Sequence, residues 1–166
     1  MKTQEIKSLL KELNEWLKLH KLKGEIGIVG GAAMCLAYNA RAATKDVDAI
    51  FEPSSEIRKA VKEIAERRNI ASDWLNDAAK GYLQPEFPKQ NLFDWSHLSI
   101  WVPAPSYMLA MKTISARWDT SDRDDFQFLI KKLKIKSAEE VFDIVENYYP
   151  KKRIPAKTKF FVEELF

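Results

Sequence analysis

The chain has 166 residues, enough for one domain with a sizeable core and short for two. Its content of 46% hydrophobic and 31% charged residues is that of a globular protein, and a net charge of +3 is too small to prove a nucleic-acid partner. A single cysteine, Cys35, excludes an intramolecular disulfide and a cysteine-rich zinc site. Charges throughout residues 1–20 exclude a signal peptide or membrane span there, so we expect a cytoplasmic protein with no membrane partner.

The first half of the chain alternates between predicted helices and strands. Apolar residues at helical spacing predict an amphipathic helix over 2–20, which a short strand over 25–29 and an apolar helix over 31–39 follow. A second strand is predicted over 46–52, and Pro53 ends it. Ser54 or Ser55 is then expected to cap a helix that runs to about residue 68.

The second half is predicted to be mostly helical. Residues 74–82 indicate a short helical or irregular insert, and Pro85 and Pro88 favour a loop. A third strand is predicted over 98–102, and four helices over 105–117, 122–133, 137–148 and 155–165. We therefore expect an α/β (α+β) fold in a single domain, with an α/β core over 1–104 and a helical part over 105–166.

A glycine pair, Gly30-Gly31, lies between the first strand and the second helix. Backbone N–H groups of such a turn can approach a phosphate closely, because no side chain intervenes. A glycine pair also occurs in tight packing turns. Its interpretation as a phosphate site therefore depends on the acids that follow.

Asp46 and Asp48 open the second strand, one residue apart. Because side chains alternate along a strand, both carboxylates are expected on one face, with Val47 in the core. Adjacent carboxylates repel unless a cation lies between them, and hard oxygen ligands suit Mg²⁺. The alternative is a half-exposed strand that shows two acids to solvent. The upstream glycine pair favours the metal site.

Three polar residues, Arg41, Thr44 and Lys45, precede the acid pair. Beside a bound nucleotide they would contact phosphate oxygens or a base. The alternative interpretation is that Arg41 and Lys45 are ordinary solvated charges on a loop.

The glycine pair with Asp46-Val47-Asp48 resembles the signature of the DNA polymerase β-type nucleotidyltransferase superfamily. The resemblance covers nearly the whole chain and extends to small stand-alone bacterial and archaeal nucleotidyltransferases, themselves similar to AbiEii-type toxins of toxin–antitoxin and phage-defence systems. The segments that carry this wider likeness are Trp74-Leu75-Asn76-Asp77, residues 106–112, Arg117 and residues 122–125.

This resemblance implies a minimal nucleotidyltransferase fold with a small mixed sheet. The acids would hold Mg²⁺ or Mn²⁺ and position a nucleoside triphosphate (NTP), whose nucleoside monophosphate moves to an acceptor hydroxyl. The end of a tRNA or another RNA is the acceptor that the resemblance implies, and a protein or small-molecule acceptor is also open. The chain would then be the toxin of a two-gene pair, with a cognate antitoxin as partner.

In AbiEii-like toxins a lysine on one helix and an aspartate on the next complete the site, and Lys112 with Asp122 and Asp125 occupy the matching places. Lys112 would hold the triphosphate as a point charge, and the two aspartates, three residues apart, would share a helix face. The alternative is structural, because first-turn acids complement the helix dipole and Asp122 would serve as an N-terminal cap.

The superfamily places a third carboxylate on a later strand, but the predicted strand over 98–102 has no acid. Asp94, just before it, is the best substitute as a third metal ligand. Glu52 shares the face of Asp48 but lies about 13 Å away along an extended strand. Without a third acid a second metal would be held weakly. This favours a second hypothesis, namely a catalytically weak nucleotide- or RNA-binding module or an antitoxin-like interaction subunit.

Two further groups of residues are candidate nucleic-acid contacts. Lysines and an arginine of the C-terminal half would form an RNA surface, or simply solvated helix faces. Trp74, Tyr82 and Trp118 would stack a base, although the aromatic residues mostly fall at core spacing. The basic residues are Lys131, Lys132, Lys134, Lys136, Lys151, Lys152, Arg153, Lys157 and Lys159.

Overall fold

The computed structural model describes residues 1–115, 120–150 and 153–166. Arg117, Trp118, Lys151 and Lys152 lie outside these ranges. The chain forms two compact units, which we call the sheet unit (residues 1–81 and 89–102) and the helical unit (residues 82–88 and 103–166). The single-domain organisation stays a prediction.

Helices and short strands alternate in the sheet unit. Its elements are α1 (Thr3–Leu19), β1 (Gly24–Ile28), α2 (Gly30–Leu36), β2 (Val47–Glu52), α3 (Ser54–Arg68), β3 (Leu75–Asn76), a 3₁₀ helix (Ala78–Tyr82), β4 (Lys89–Asp94) and β5 (Leu98–Pro103). The last residue of the 3₁₀ helix and the last residue of β5 are counted with the helical unit.

The described strands form one mixed sheet in the order β3-β2-β1-β5-β4. Strand β1 runs antiparallel to β2 and parallel to β5, and β2 runs parallel to β3. This arrangement confirms the expected α/β fold class with a small mixed sheet.

Strand β2 shows why the sheet has two unlike faces. Val47, Ala49 and Phe51 are buried, whereas Asp48 is half-buried and Glu52 is exposed. Alternation thus buries the apolar residues on one face of the strand and leaves Asp48 on the other, more open face. Amphipathic α1 packs on α3 through the predicted apolar stripe, with Ile6, Leu9, Leu10, Leu13, Trp16 and Leu17 buried.

The helical unit contains α4 (Pro105–Ser115), α5 (Thr120–Leu133), α6 (Ala138–Tyr148) and α7 (Ala156–Glu163). Helix α4 packs against both α5 and α6, so its residues 107–113 are all buried. Hydrogen bonds tie the segment 82–88 to this unit, because Gln84 N donates to the hydroxyl of Tyr107 and the Tyr149 hydroxyl donates to the Tyr82 carbonyl.

Predictions for long periodic segments are confirmed, and those for the middle of the chain are partly wrong. The segment 74–82 contains β3 and a 3₁₀ helix rather than an insert alone, and β4 was not predicted. Both strands are short or polar, so neither has a clear two-residue hydrophobic period. The N-cap of α3 is Pro53, not Ser54 or Ser55. Cys35 is buried in α2, as predicted.

No helix in the described part of the chain has both the length and the apolar character that crossing a membrane requires.

Candidate active site

The glycine turn lies directly against the acid pair. Gly30 has a positive φ of 61°, a conformation that favours glycine, and it follows β1 at the first position of α2. A β-carbon at Gly30 would lie 3.1 Å from Oδ2 of Asp48. The backbone joins the same two segments, because Val29 N donates to the Asp48 carbonyl at 2.9 Å. The absence of a side chain at residue 30 therefore leaves room for the Asp48 carboxylate.

Gly31 borders the loop that precedes the acids. A β-carbon at Gly31 would lie 2.6 Å from Thr44 Oγ1 and 3.1 Å from Nη1 of Arg41. The Thr44 hydroxyl in turn donates to the Asp46 carbonyl at 3.3 Å. The structure thus brings the predicted residues Gly30, Gly31, Arg41, Thr44 and Asp48 into one neighbourhood.

The loop carrying Arg41 and Thr44 is held by the N-terminal segment. Lys2 forms a β-bridge with Ala43, and Thr44 N donates to the Met1 carbonyl at 2.9 Å. Fixing this backbone also fixes the start of β2, where the acids lie.

Asp46 and Asp48 are both half-buried, and Val47 between them is fully buried. This matches the predicted alternation. Lys45, next to them in sequence, is exposed. Two accessible carboxylates at one strand end, with Arg41 close by, provide ligands for a cation and a positive charge for an anion.

The structure does not bring Asp94 to this neighbourhood. Asp94 ends β4 and accepts a hydrogen bond from Ser99 Oγ at 2.8 Å. Ser99 pairs with Glu25 near the start of β1, whereas Asp48 lies beside Val29, just beyond the end of β1. Glu25 and Val29 are four residues apart, which is about 13 Å along an extended strand. Asp94 therefore cannot share one small ion with Asp48.

The two carboxylates of Asp46 and Asp48 would suit a Mg²⁺ ion only if further ligands came from a bound substrate and water. Among residues 1–115, 120–150 and 153–166, no three His, Cys, Asp or Glu side chains are grouped so that they could hold a metal ion. Mg²⁺ is commonly bound through one or two carboxylates together with substrate phosphates and water. Asp46 and Asp48 match that mode, and they do not form an all-protein cage.

Asn76 is a neighbour of Asp48 that the sequence alone does not reveal. The register of the parallel β2–β3 pair places Asn76 beside Asp48 and Leu75 beside Val47. Paired residues on neighbouring strands share a sheet face, so Asn76 and Asp48 point to the same side. Asn76 lies in the Trp74-Leu75-Asn76-Asp77 segment that carries the family resemblance. A strand of only two residues has no hydrophobic periodicity, so the sequence does not show which residue of β2 lies beside Asn76.

The helical unit holds a second cluster of predicted residues. Lys112 Nζ on α4 lies 2.7 Å from Asp125 Oδ2 and 3.0 Å from Asp122 Oδ1 on α5. The side chains of Lys112 and Asp125 are 7% and 1% exposed, and that of Asp122 is 24% exposed. Asp122 and Asp125 therefore share a helix face, as predicted. Asp122 lies inside the first turn of α5, which begins at Thr120, and is not its N-cap.

Trp74 belongs to the core and offers no surface to a base. It is 2% exposed, and its Nε1 donates to the Val61 carbonyl at 3.2 Å. Tyr82 is 47% exposed.

A family model described as "Nucleotidyltransferase of unknown function" (DUF6036) matches residues 4–154. The chain belongs to this family. No curated protein and no solved structure gives a significant match. Membership supports the nucleotidyltransferase resemblance and a transferase activity, while the relation to AbiEii-type toxins stays a prediction.

Proposed function

We propose that the chain is a metal-dependent nucleotidyltransferase that moves a nucleoside monophosphate from an NTP to an acceptor hydroxyl. The observation that carries the proposal is the fit between the Gly30 backbone and the Asp48 carboxylate at the start of β2. Family membership supports the reaction class.

In this proposal Asp46 and Asp48 hold Mg²⁺ or Mn²⁺, and Arg41 with the turn Gly30-Gly31 receives phosphate oxygens. When bound, the metal ion neutralises charge that develops on the phosphates during transfer. Thr44 Oγ1 and Arg41 border Gly31, which supports the proposal that both contact the same phosphates. Lys45 is exposed and supplies a further positive charge close to the site.

In the proposed transfer one bond forms at the α-phosphorus and one bond breaks. The acceptor oxygen forms a bond to the α-phosphorus, and the bond between that phosphorus and the α–β bridging oxygen breaks. Pyrophosphate leaves with the electron pair, while the hydroxyl proton passes to a carboxylate acting as general base. Asp46 and Asp48 are the candidate bases in the sheet unit. Asp122 and Asp125 are those predicted in the helical unit.

The proposed role of Lys112 as a triphosphate ligand has to be reconciled with its ion pairs. Asp122 and Asp125 together outweigh its single positive charge, and the cluster is largely buried. The Lys112 ammonium group has three N–H donors, so a phosphate contact would use the third one, beyond those directed at Asp122 and Asp125. We propose that Lys112 positions α4 against α5 as well as binding phosphate.

A tRNA or other RNA acceptor, a toxin role and a cognate antitoxin are proposals that rest on resemblance. The basic residues of α5, Lys131 and Lys132, are compatible with an RNA surface. A catalytically weak nucleotide- or RNA-binding module, or an antitoxin-like subunit, remains the second candidate. It is favoured by the separation of Asp94 from Asp48 and by the lack of a three-residue metal cluster in the described ranges.

Pyrophosphate release separates the two candidates. The purified chain is incubated with each NTP, total RNA and Mg²⁺, and pyrophosphate is measured before and after chelation and re-addition of metal. The enzyme proposal expects RNA-dependent release that chelation stops and metal restores. Metal-dependent NTP binding without any release would support the binding module instead.

A further inference from the structure

We infer that Asn76 is a nucleotide-binding residue whose side-chain N–H donates to a phosphate oxygen of the NTP held at Asp48. This inference rests on the proposed function and adds a residue to its site. It replaces the predicted third carboxylate with a neutral hydrogen-bond donor.

Register places Asn76 at the site. Its Cα is the direct partner of Asp48 in the parallel β2–β3 pair, and neighbouring strands lie about 4.8 Å apart. The pair is well anchored, because Val47 N donates to the Trp74 carbonyl at 2.8 Å. A phosphate bound through a cation at Asp48 therefore comes within reach of the side chain at residue 76.

The amide orientation decides what Asn76 can offer. Its Oδ1 accepts a hydrogen bond from Ala78 N at 3.0 Å. This bond closes a turn at the end of β3. Because the backbone N–H of Ala78 can donate only to the amide oxygen of Asn76, the side chain is fixed with Nδ2 pointing away from Ala78 N. The Nδ2 group is the donor that this turn does not use. The group that Asn76 has to offer is thus a donor, which suits an anionic oxygen and not a cation.

The neighbouring residue shows the contrast. Asp77 Oδ2 lies 2.5 Å from Nη2 of Arg58, so its carboxylate is already paired. Asp77 provides a matched control because it is adjacent in sequence, polar and engaged elsewhere.

The test uses the full chain and compares Asn76→Asp, Asn76→Ala and Asp77→Asn with wild type. Isothermal titration calorimetry measures the Kd of each α,β-methylene NTP in Mg²⁺, and electron paramagnetic resonance measures binding of Mn²⁺ alone. Asn76→Asp keeps the acceptor for Ala78 and removes the donor, so the turn is retained. Thermal unfolding verifies that each variant folds.

We expect Asn76→Ala to raise the nucleotide Kd about tenfold, the effect of losing one hydrogen bond to a charged group. Asn76→Asp should raise it by more, since a second carboxylate repels the phosphates, and Asp77→Asn should leave it unchanged. Wild-type nucleotide affinity in both Asn76 variants would overturn the inference. Tighter binding of both nucleotide and Mn²⁺ by Asn76→Asp would also overturn it, because residue 76 would then act as a metal ligand.

Asp48→Asn separates failure of this inference from failure of the proposed function. Loss of nucleotide binding in Asp48→Asn together with unchanged binding in the Asn76 variants contradicts only the role of Asn76. Wild-type binding in Asp48→Asn, or no nucleotide binding by the wild type, contradicts the proposed site and the inference with it.

Discussion

The carboxylate of Asp48 and the backbone of Gly30 occupy adjoining space, with Oδ2 3.1 Å from the position that a β-carbon at residue 30 would take. Gly30 also has a φ of 61°, in the left-handed region. Two independent requirements therefore select glycine here. One is the conformation of the turn, and the other is room for the acid.

Replacing Gly30 by alanine should lower both activity and stability. The left-handed backbone costs an alanine about 1 kcal/mol in the free energy of unfolding, and the new methyl group would displace the Asp48 carboxylate. Urea unfolding and initial transfer rates measure the two effects. Gly81→Ala is the matched control, because no heavy atom beyond its chain neighbours and local helix backbone lies within 4 Å of its β-carbon position. Equal behaviour of the two variants would contradict the role assigned to Gly30.

Neutralising Asp48 should abolish nucleotidyl transfer, whereas neutralising Asp94 should not. Asp48→Asn removes a proposed metal ligand at constant shape, and Asp94 lies about 13 Å away along the strand direction. Transfer rates in a Mg²⁺ titration compare these variants. A loss of activity in Asp94→Asn that added Mg²⁺ repairs would restore Asp94 as a metal ligand.

The buried pair in the helical unit should matter for stability. Asp125 is 1% exposed, and it lies 2.7 Å from Lys112 Nζ. Breaking a buried pair by neutralising one partner costs about 3 kcal/mol. We expect Asp125→Asn to lower the free energy of unfolding by about that amount, and Asp124→Asn, at an exposed position of the same helix, to change it little. Similar unfolding midpoints for the two variants would show that the pair contributes nothing.

The sequence predicts the acid pair itself better than it predicts the residues that surround the pair. The two-residue spacing of Asp46 and Asp48 and the helical spacing of α1 are local patterns, and the structure keeps them. The identity of the residue beside Asp48 is not local. It depends on strand register, and β3 is only two residues long. Asp94 precedes the predicted strand over 98–102 and is therefore the best candidate for a third ligand by sequence alone. Its hydrogen bond to Ser99 places it near the start of β1, whereas Asp48 lies just beyond the end of β1.

The helical unit shows the same limit. Spacing predicted that Asp122 and Asp125 share a face, and they do. Their burial against Lys112 depends on how α4 packs on α5, which no single helix pattern contains. A charged residue in an otherwise apolar helix was the available signal, because residues 107–113 of α4 are apolar or small except for Tyr107, Lys112 and Thr113.

Alkaline pH should reveal the partial burial of Tyr38, which lies just after α2. Burial raises the pKa of Tyr38 to about 12, from an ordinary value near 10. Below pH 10 both folded and unfolded chains keep this phenol neutral, so its contribution to stability is complete. Between pH 10 and 12 the unfolded chain ionises first, and stability falls.

Tyr38→Phe should therefore lose less stability than wild type when the pH rises from 9 to 11. Unfolding by urea at a series of pH values measures the difference. Tyr82→Phe, at an exposed position, should follow the wild-type curve. Parallel curves for all three proteins would argue that the Tyr38 phenol is accessible to water.

The most direct test of nucleotidyl transfer is the movement of label from an α-labelled NTP. Each of the four labelled NTPs is incubated with the chain, Mg²⁺ and total RNA, and an Asp46→Ala/Asp48→Ala double variant serves as control. We expect label to enter an acceptor with the wild type and Mg²⁺, and not with the double variant. Equal labelling by the double variant would contradict the assignment of the site to Asp46 and Asp48.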